Sequence, residues 1–207
     1  SGWIERNWLT RTGDTEHGRY IFDDISYHWG RKLIMDLYNE GIVSEAESFN
    51  PDNMVTKEEF LVFVSKSLDK HGINGEPTEE RTLSFTDAQD IHPWAYEYIQ
   101  HLEGYGLLNN YKDKLKPLDS LTRKEAANII DGIFGENDKY NDLDINTIFK
   151  DISSLNEEDI KAIKTAYING IISGKSAGAF CPDDYLTRAE AAAIMVKICD
   201  KLSSINK

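Results

Sequence analysis

Thr56-Lys57-Glu58-Glu59, Thr122-Arg123-Lys124-Glu125 and Thr187-Arg188-Ala189-Glu190 are three copies of one short pattern, spaced 66 and then 65 residues apart. In each copy a threonine is followed three residues later by a glutamate, and an apolar stretch with helical periodicity comes next. The pattern is typical of a capping box, in which the threonine hydroxyl and the glutamate carboxylate each bond a backbone amide of the first helical turn. Each copy also lies five residues after a proline (Pro51, Pro117 and Pro182). Three boxes at one period indicate a threefold internal repeat.

Other landmarks recur in the same order around each box. An aromatic-x-Asp step lies upstream, and its aspartates are Asp24, Asp87 and Asp151. A tryptophan then stands twelve residues before a glycine in two copies, as Trp29 before Gly41 and Trp94 before Gly106, whereas Glu158 holds that place before Gly170. An apolar pair and a polar loop follow each glycine and lead to Phe49-Asn50-Pro51, Leu115-Lys116-Pro117 or Phe180-Cys181-Pro182.

These signals predict two helices in each repeat and an essentially all-α fold. The first helices are expected at about 28–40, 93–105 and 157–169, each ended by its glycine, and the second at about 57–70, 123–134 and 188–202. A unit of this size cannot bury its apolar face alone, so the three must share a core, with the second helices arranged around a pseudo-threefold axis. The predicted divisions are a lead-in at 1–19 and repeats at 20–70, 83–134 and 147–202, in one compact domain.

The order of landmarks resembles the S-layer homology (SLH) motif, which carries Phe-x-Asp, His-Trp-Ala, Gly-Ile, Phe-x-Pro and Thr-Arg-Ala-Glu and usually occurs in three tandem copies. The resemblance covers about residues 20 to 202. It implies a bacterial surface protein attached to the cell envelope, outside the cell. The implied ligand is a secondary cell-wall polysaccharide, commonly one that ends in a pyruvate-ketal sugar. No cofactor or metal is implied.

The charge balance excludes some partners. The formal net charge of −13 argues against a nucleic-acid surface and against binding to anionic lipid by charge alone. The longest apolar runs are too short for a membrane-spanning helix. The two cysteines, Cys181 and Cys199, lie on opposite sides of a predicted helix start, so we expect two free thiols.

The second residue of each box is a base, Lys57, Arg123 or Arg188. The helix dipole disfavours a cation there by about 0.3 to 1 kcal/mol. Stability therefore gives little reason for the pattern, whereas amides, dipole and guanidinium together would bind a carboxylate. The alternative is that each base pairs with an aspartate of the neighbouring copy or with the glutamate of its own helix. The SLH motif places its ligand-binding arginine here, which favours function for Arg123 and Arg188 and leaves Lys57 evenly balanced.

Three further sets of residues are candidates for the same grooves. Asp24, Asp87 and Asp151 can accept sugar hydroxyls, or can cap the coming helix or pair with an arginine. Trp29 and Trp94 can offer a ring face to a pyranose, although a tryptophan at a helix start is more often in the core. Gly174 matches a second glycine of the family's motif, where backbone can approach a ligand, whereas Glu45 and Asn110 stand at the aligned places. The departures predict unequal grooves, with the one that uses Lys57 the weakest.

Other functions fit the sequence less well. The five histidines form no ligand cluster, and there is no nucleophile elbow or phosphate loop, so we do not expect an enzyme. A module for protein–protein interaction or S-layer assembly remains an alternative. So does a binder of polyamine-modified peptidoglycan, which the acidic charge would suit and the box bases would not. The favoured interpretation is a noncatalytic anchor that binds cell-wall polysaccharide.

Overall fold

A computed structural model describes residues 21–73, 82–135 and 142–205, and its regular structure there is helical. The six α-helices are α1 Arg31–Asn39, α2 Lys57–Lys70, α3 Pro93–Gly104, α4 Arg123–Phe134, α5 Glu157–Ile168 and α6 Arg188–Ile205. Two 3-10 turns, Ala88–Asp90 and Ile145–Thr147, precede α3 and α5. The prediction of an all-α fold is confirmed. The predicted lead-in at 1–19 lies outside the described residues.

The capping boxes form as predicted and fix the start of each second helix. Thr122 accepts the amide of Glu125 at 3.2 Å, and the Glu125 carboxylate accepts the amide of Thr122 at 2.9 Å. The same reciprocal pair closes at Thr56 with Glu59 and at Thr187 with Glu190. Helices α2, α4 and α6 therefore begin at the residue after the threonine.

Glycine ends each first helix in the expected way. Gly41, Gly106 and Gly170 have φ of 75°, 72° and 70°, in the left-handed region that favours glycine. After α1 the amide of Gly41 bonds the carbonyl of Tyr38, and that of Ile42 bonds the carbonyl of Leu37. This is the Schellman pattern of helix termination, and α3 and α5 end with the same pair of bonds.

The start of the first helix was predicted too early in repeat 1. We expected helix from about residue 28, but α1 begins at Arg31. The amide of Gly30 donates to Nδ1 of His28 at 3.0 Å, and this local bond holds residues 28–30 in a turn. Pro93 opens α3 and the Asn156 side chain caps α5, so those two helices start as predicted.

The three box segments join in a closed ring of backbone hydrogen bonds. The amide of Val55 donates to the carbonyl of Leu186, Leu186 donates to Leu121, and Leu121 donates back to Val55, at 2.9 to 3.0 Å. All three side chains are fully buried. Each repeat is therefore bonded directly to both of the others.

Helix packing follows the same circular order. Helix α3 of repeat 2 packs on α2 of repeat 1, α5 of repeat 3 packs on α4 of repeat 2, and α1 packs on α6. Helices α2 and α6 also contact each other. Helices α4 and α6 carry alanines without exposed surface, among them Ala126, Ala127, Ala191 and Ala192. Each first helix thus covers the second helix of a different repeat.

Both cysteines are free thiols, as expected. Cys199 is buried and its pKa is raised by burial, whereas Cys181 is half-buried with φ of 58°. Within the described part of the chain, no helix has the length and apolar character needed to cross a bilayer.

Candidate functional site

The base of each box reaches across a repeat boundary. Arg188 of repeat 3 donates from Nε to the carbonyl of Phe49 in repeat 1 at 2.7 Å. Its guanidinium lies 4.7 Å from the centre of the Phe49 ring and pairs through Nη1 with the carboxylate of Glu59. The Arg188 side chain stays 17% exposed. This base holds repeat 3 to repeat 1 and still meets solvent.

Arg123 makes the equivalent reach from repeat 2 to repeat 3, with different partners. Nε donates to the carbonyl of Phe180 at 2.8 Å and Nη2 to the carbonyl of Ser173 at 2.7 Å, over the Phe180 ring at 4.9 Å. The residue is 6% exposed, and burial lowers its pKa, although nearby acids oppose the shift. The hydrogen bonds of Arg123 therefore fix the loop of repeat 3 in place.

Lys57 closes the circle from repeat 1 to repeat 2. Its Nζ pairs with the Glu125 carboxylate at 2.6 Å and lies 5.7 Å from the centre of the Tyr111 ring. The side chain is 7% exposed. Lys57 and Arg188 each pair with the box glutamate of another repeat, whereas the sequence had suggested a neighbouring aspartate or the glutamate of the same helix.

The first-turn amides are not free, which corrects the expectation that they would help to bind an anion. The amide of Arg188 donates to the carbonyl of Asn53 at 2.8 Å, and the next amide, of Ala189, donates to Pro51 at 2.9 Å. The first two amides of α2 and α4 donate in the same way to loop carbonyls of the following repeat. The third amide of each helix is taken by the capping threonine. Carbonyls of the following repeat and the capping threonine therefore accept the first three amides of each second helix.

The motif aspartates bind the loop that precedes each proline. The Asp87 carboxylate accepts the amides of Leu115 at 3.0 Å and Lys116 at 2.8 Å. Asp24 accepts two successive amides from Phe49 and Asn50, and Asp151 does so from Phe180 and Cys181. The second residue of each pair has φ between 54° and 58°. Each aspartate therefore holds a left-handed turn in place. This role is neither the helix cap nor the arginine pair that the sequence had suggested.

Both motif tryptophans are exposed, so of the two alternatives left open by the sequence, a place in the core does not describe them. Trp29 is 61% exposed and Trp94 is 50% exposed. Each ring lies beside the histidine of its own repeat, Trp94 stacked on His92 with 6.0 Å between ring centres. His92 in turn bonds the buried Glu58 carboxylate through Nδ1 at 2.6 Å. A ring held in this way presents its free face to solvent.

A groove of about 670 Å³ joins one tryptophan to one box arginine. We call it the repeat-1 groove. Its floor is the loop 42–49 and the face of α2 that carries Lys66, and its walls are Trp94 and Tyr98 from α3 and Arg188 from α6. All three repeats thus contribute to one groove. The sequence did not say which arginine faces which tryptophan, and the structure pairs Arg188 with Trp94.

Sequence reasoning missed two residues of this groove. Tyr98 lies four residues after Trp94 on α3, so the two rings share a helix face, and that spacing was a usable signal. Lys66 is on the third turn of α2 and stands in no recognised motif position. Only the tertiary arrangement brings it beside α3.

Gly174 is needed by the packing of its own loop. A side chain there would approach the Phe149 ring and the Ala179 carbonyl to 2.8 Å. Lys175 and Ala179 form a tight turn next to it. The glycine therefore has a structural explanation in addition to the expected one.

The comparisons with known proteins agree with the repeat architecture. A sequence model of the S-layer homology domain matches residues 21–61, 84–127 and 148–192. The chain belongs to the S-layer homology domain family. It is an extracellular cell-surface module, and the family's role is noncatalytic surface anchoring.

Three relatives place the module inside much longer proteins. The chain is 28% identical to the exoglucanase XynX of Acetivibrio thermocellus, over 89% of its own length and 17% of the relative. It is 26% identical to an S-layer protein of Bacillus thuringiensis subsp. finitimus, over 87% and 21%. It is 29% identical to a cellulosome-anchoring protein of A. thermocellus, over 46% and 21%. The chain therefore spans about a fifth of the length of each of these three relatives.

Proposed function

We propose that this chain anchors its parent protein to the bacterial envelope by binding a secondary cell-wall polysaccharide through the carboxylate of a terminal pyruvate-ketal sugar. The observation that carries the proposal is the repeat-1 groove, where the exposed Trp94 faces the same space as Arg188. An indole offers an apolar surface to one face of a pyranose, and a guanidinium offers paired donors to a carboxylate. A pyruvylated sugar carries both features.

The three grooves have unequal roles in this proposal. Arg188 donates two of its five N–H groups to Phe49 and Glu59, so other N–H groups can bind a ligand. Arg123 keeps less exposed surface than Arg188, so the groove at repeat 3 takes second place. Its tryptophan is Trp29, in the turn before α1, the helix that packs on α6 of repeat 3. The groove of repeat 2 is the weakest, because Lys57 is paired under Tyr111 and Glu158 replaces the tryptophan. In each repeat the motif aspartate (Asp24, Asp87 or Asp151) shapes the loop that the sugar meets, and in repeat 3 Gly174 does so as well.

Calorimetry with a synthetic pyruvate-ketal monosaccharide tests the proposal. The unmodified chain should bind it, and Trp94→Ala should weaken binding at least tenfold, which is the loss expected when about 1.4 kcal/mol of contact is removed. Tyr27→Ala is the matched control, because Tyr27 is a fully exposed aromatic that does not line the groove. Equal affinity in Trp94→Ala would contradict the assigned groove.

A wall pull-down separates the proposal from its rivals. The chain should sediment with purified cell wall and should stay in solution once the secondary polysaccharide has been removed. Binding that survives removal would point to peptidoglycan or to a protein partner and would overturn the pyruvylated-glycan assignment.

A further inference from the structure

The repeat-1 groove contains a second cation that the SLH motif does not include. Lys66 lines the groove on α2, nine residues after the box base. Its Nζ lies 5.5 Å from the centre of the Tyr98 ring and 3.3 Å from the hydroxyl of Ser44. Both neighbours also line the groove. The ammonium therefore faces the space in which the sugar is placed.

Lys66 differs from two of the three box bases in its charge balance. Lys57 and Arg188 each pair with a glutamate, whereas Lys66 has no carboxylate partner among the described residues. It is half-buried, and burial lowers its pKa. A partly desolvated cation with only a hydroxyl and a ring face beside it is stabilised when an anion arrives.

The other two repeats do not reproduce this arrangement. Gly132 stands at the corresponding place in repeat 2, where the side chain of Leu107 covers it. Lys197 stands there in repeat 3 and donates to the carbonyl of Ile171 at 3.1 Å, so its ammonium is used by its own loop. Of these three positions, Lys66 is the one whose ammonium bonds a side-chain hydroxyl that lines a groove.

We propose that Lys66, with the Ser44 hydroxyl beside it, supplies the unmatched positive charge that binds the carboxylate of the glycan in the repeat-1 groove, while Arg188 supplies hydrogen-bond donors to the same group. The inference rests on the proposed function and names the residue that recognises the negative charge of the sugar. Arg188 already has its charge matched by Glu59. Glu45 also lines the groove and is exposed, so it opposes an anionic ligand.

The test uses two probes, the pyruvate-ketal monosaccharide and its methyl ester, which has the same shape without the charge. The indole N–H signals of Trp94 and Trp29, assigned with Trp→Phe variants, report the grooves of repeats 1 and 3 separately in ¹H–¹⁵N spectra. With the unmodified chain the Trp94 signal should titrate with the acid at least tenfold more tightly than with the ester. In Lys66→Gln that preference should fall to about twofold or less at Trp94, as expected for the loss of one charged hydrogen bond.

Two matched variants sharpen the result. Lys32→Gln makes the same change in net charge at an exposed lysine paired with Asp36, and should leave the acid-to-ester preference unchanged. Glu45→Gln removes the opposing carboxylate and should tighten acid binding at Trp94.

Each outcome separates this inference from the proposed function. An unchanged preference in Lys66→Gln, or a Trp94 signal that stays silent while Trp29 responds, overturns the role of Lys66 and leaves glycan binding standing. If neither indole responds to the acid in the unmodified chain, the proposed function itself is wrong.

Discussion

At the scale of single residues, the aspartate of each repeat explains why the motif joins two positions far apart in sequence. Asp87 binds amides 28 and 29 residues later and so sets the turn before Pro117. The sequence identified the aspartate but not its partner, because the amides that it accepts carry no residue signature. The turn places Lys116 at a positive φ, but a lysine does not predict a left-handed backbone.

The Asp87 carboxylate should make stability depend on pH. Burial raises its pKa and the backbone hydrogen bonds from Leu115 and Lys116 lower it, and the bonds prevail, so the pKa lies below its ordinary value. A lowered pKa contributes stability that is present above about pH 4, the pKa of an unfolded aspartate, and is lost as pH falls through the folded pKa.

Asp87→Asn should therefore reduce the free energy of unfolding at pH 7 by about 1 to 3 kcal/mol, because a buried amide loses its charged acceptor. The difference from the unmodified chain should shrink below pH 4. Denaturant melts at several pH values measure both effects. Asp113→Asn in the same repeat changes an exposed carboxylate and should do little; an equal loss in that control would assign the effect to net charge.

At the scale of elements, the capping box has two tasks that one sequence pattern cannot separate. The threonine and glutamate close the helix start, as the sequence predicted to the residue. The same glutamate also pairs with a base from another repeat in two of the boxes, Glu59 with Arg188 and Glu125 with Lys57. The second task depends on which repeats are neighbours, which a single sequence does not encode locally.

Glutamine substitution separates the two tasks, since glutamine still completes a capping box. Glu125→Gln leaves the nearly buried Lys57 without its counter-charge and should lower the free energy of unfolding by about 3 kcal/mol. Glu190→Gln changes the box of α6, whose glutamate acts on Arg123 from beyond ion-pair distance, and should cost less than Glu125→Gln. Chemical denaturation of both variants compares them directly, and equal losses would mean that the ion pair contributes nothing.

At the scale of the whole molecule, the sequence predicted the number of repeats and helices but not the circular order of their contacts. Periodicity and capping are local, so they predicted where helices α2 to α6 begin and that all six exist. The pairing of α1 with α6, and of Trp94 with Arg188, depends on closure between residues more than 90 positions apart. Nothing in the local pattern carries that information.

Closure should make the repeats unfold as one unit. The amides of Val55, Leu121 and Leu186 each donate to another repeat, so none can open while the ring is intact. Native-state hydrogen exchange should give all three the same free energy of opening, equal to that of global unfolding. A lower value at one of them would show that its repeat opens alone.

The ring also sets the order in which the chain can finish folding. The amide of Val55 finds its acceptor at Leu186, 131 residues later, so repeat 1 cannot complete its hydrogen bonds until repeat 3 is present. Contacts this distant in sequence slow folding, because a long loop must close before they form. A module that works outside the cell therefore reaches its closed fold only once its last repeat is available.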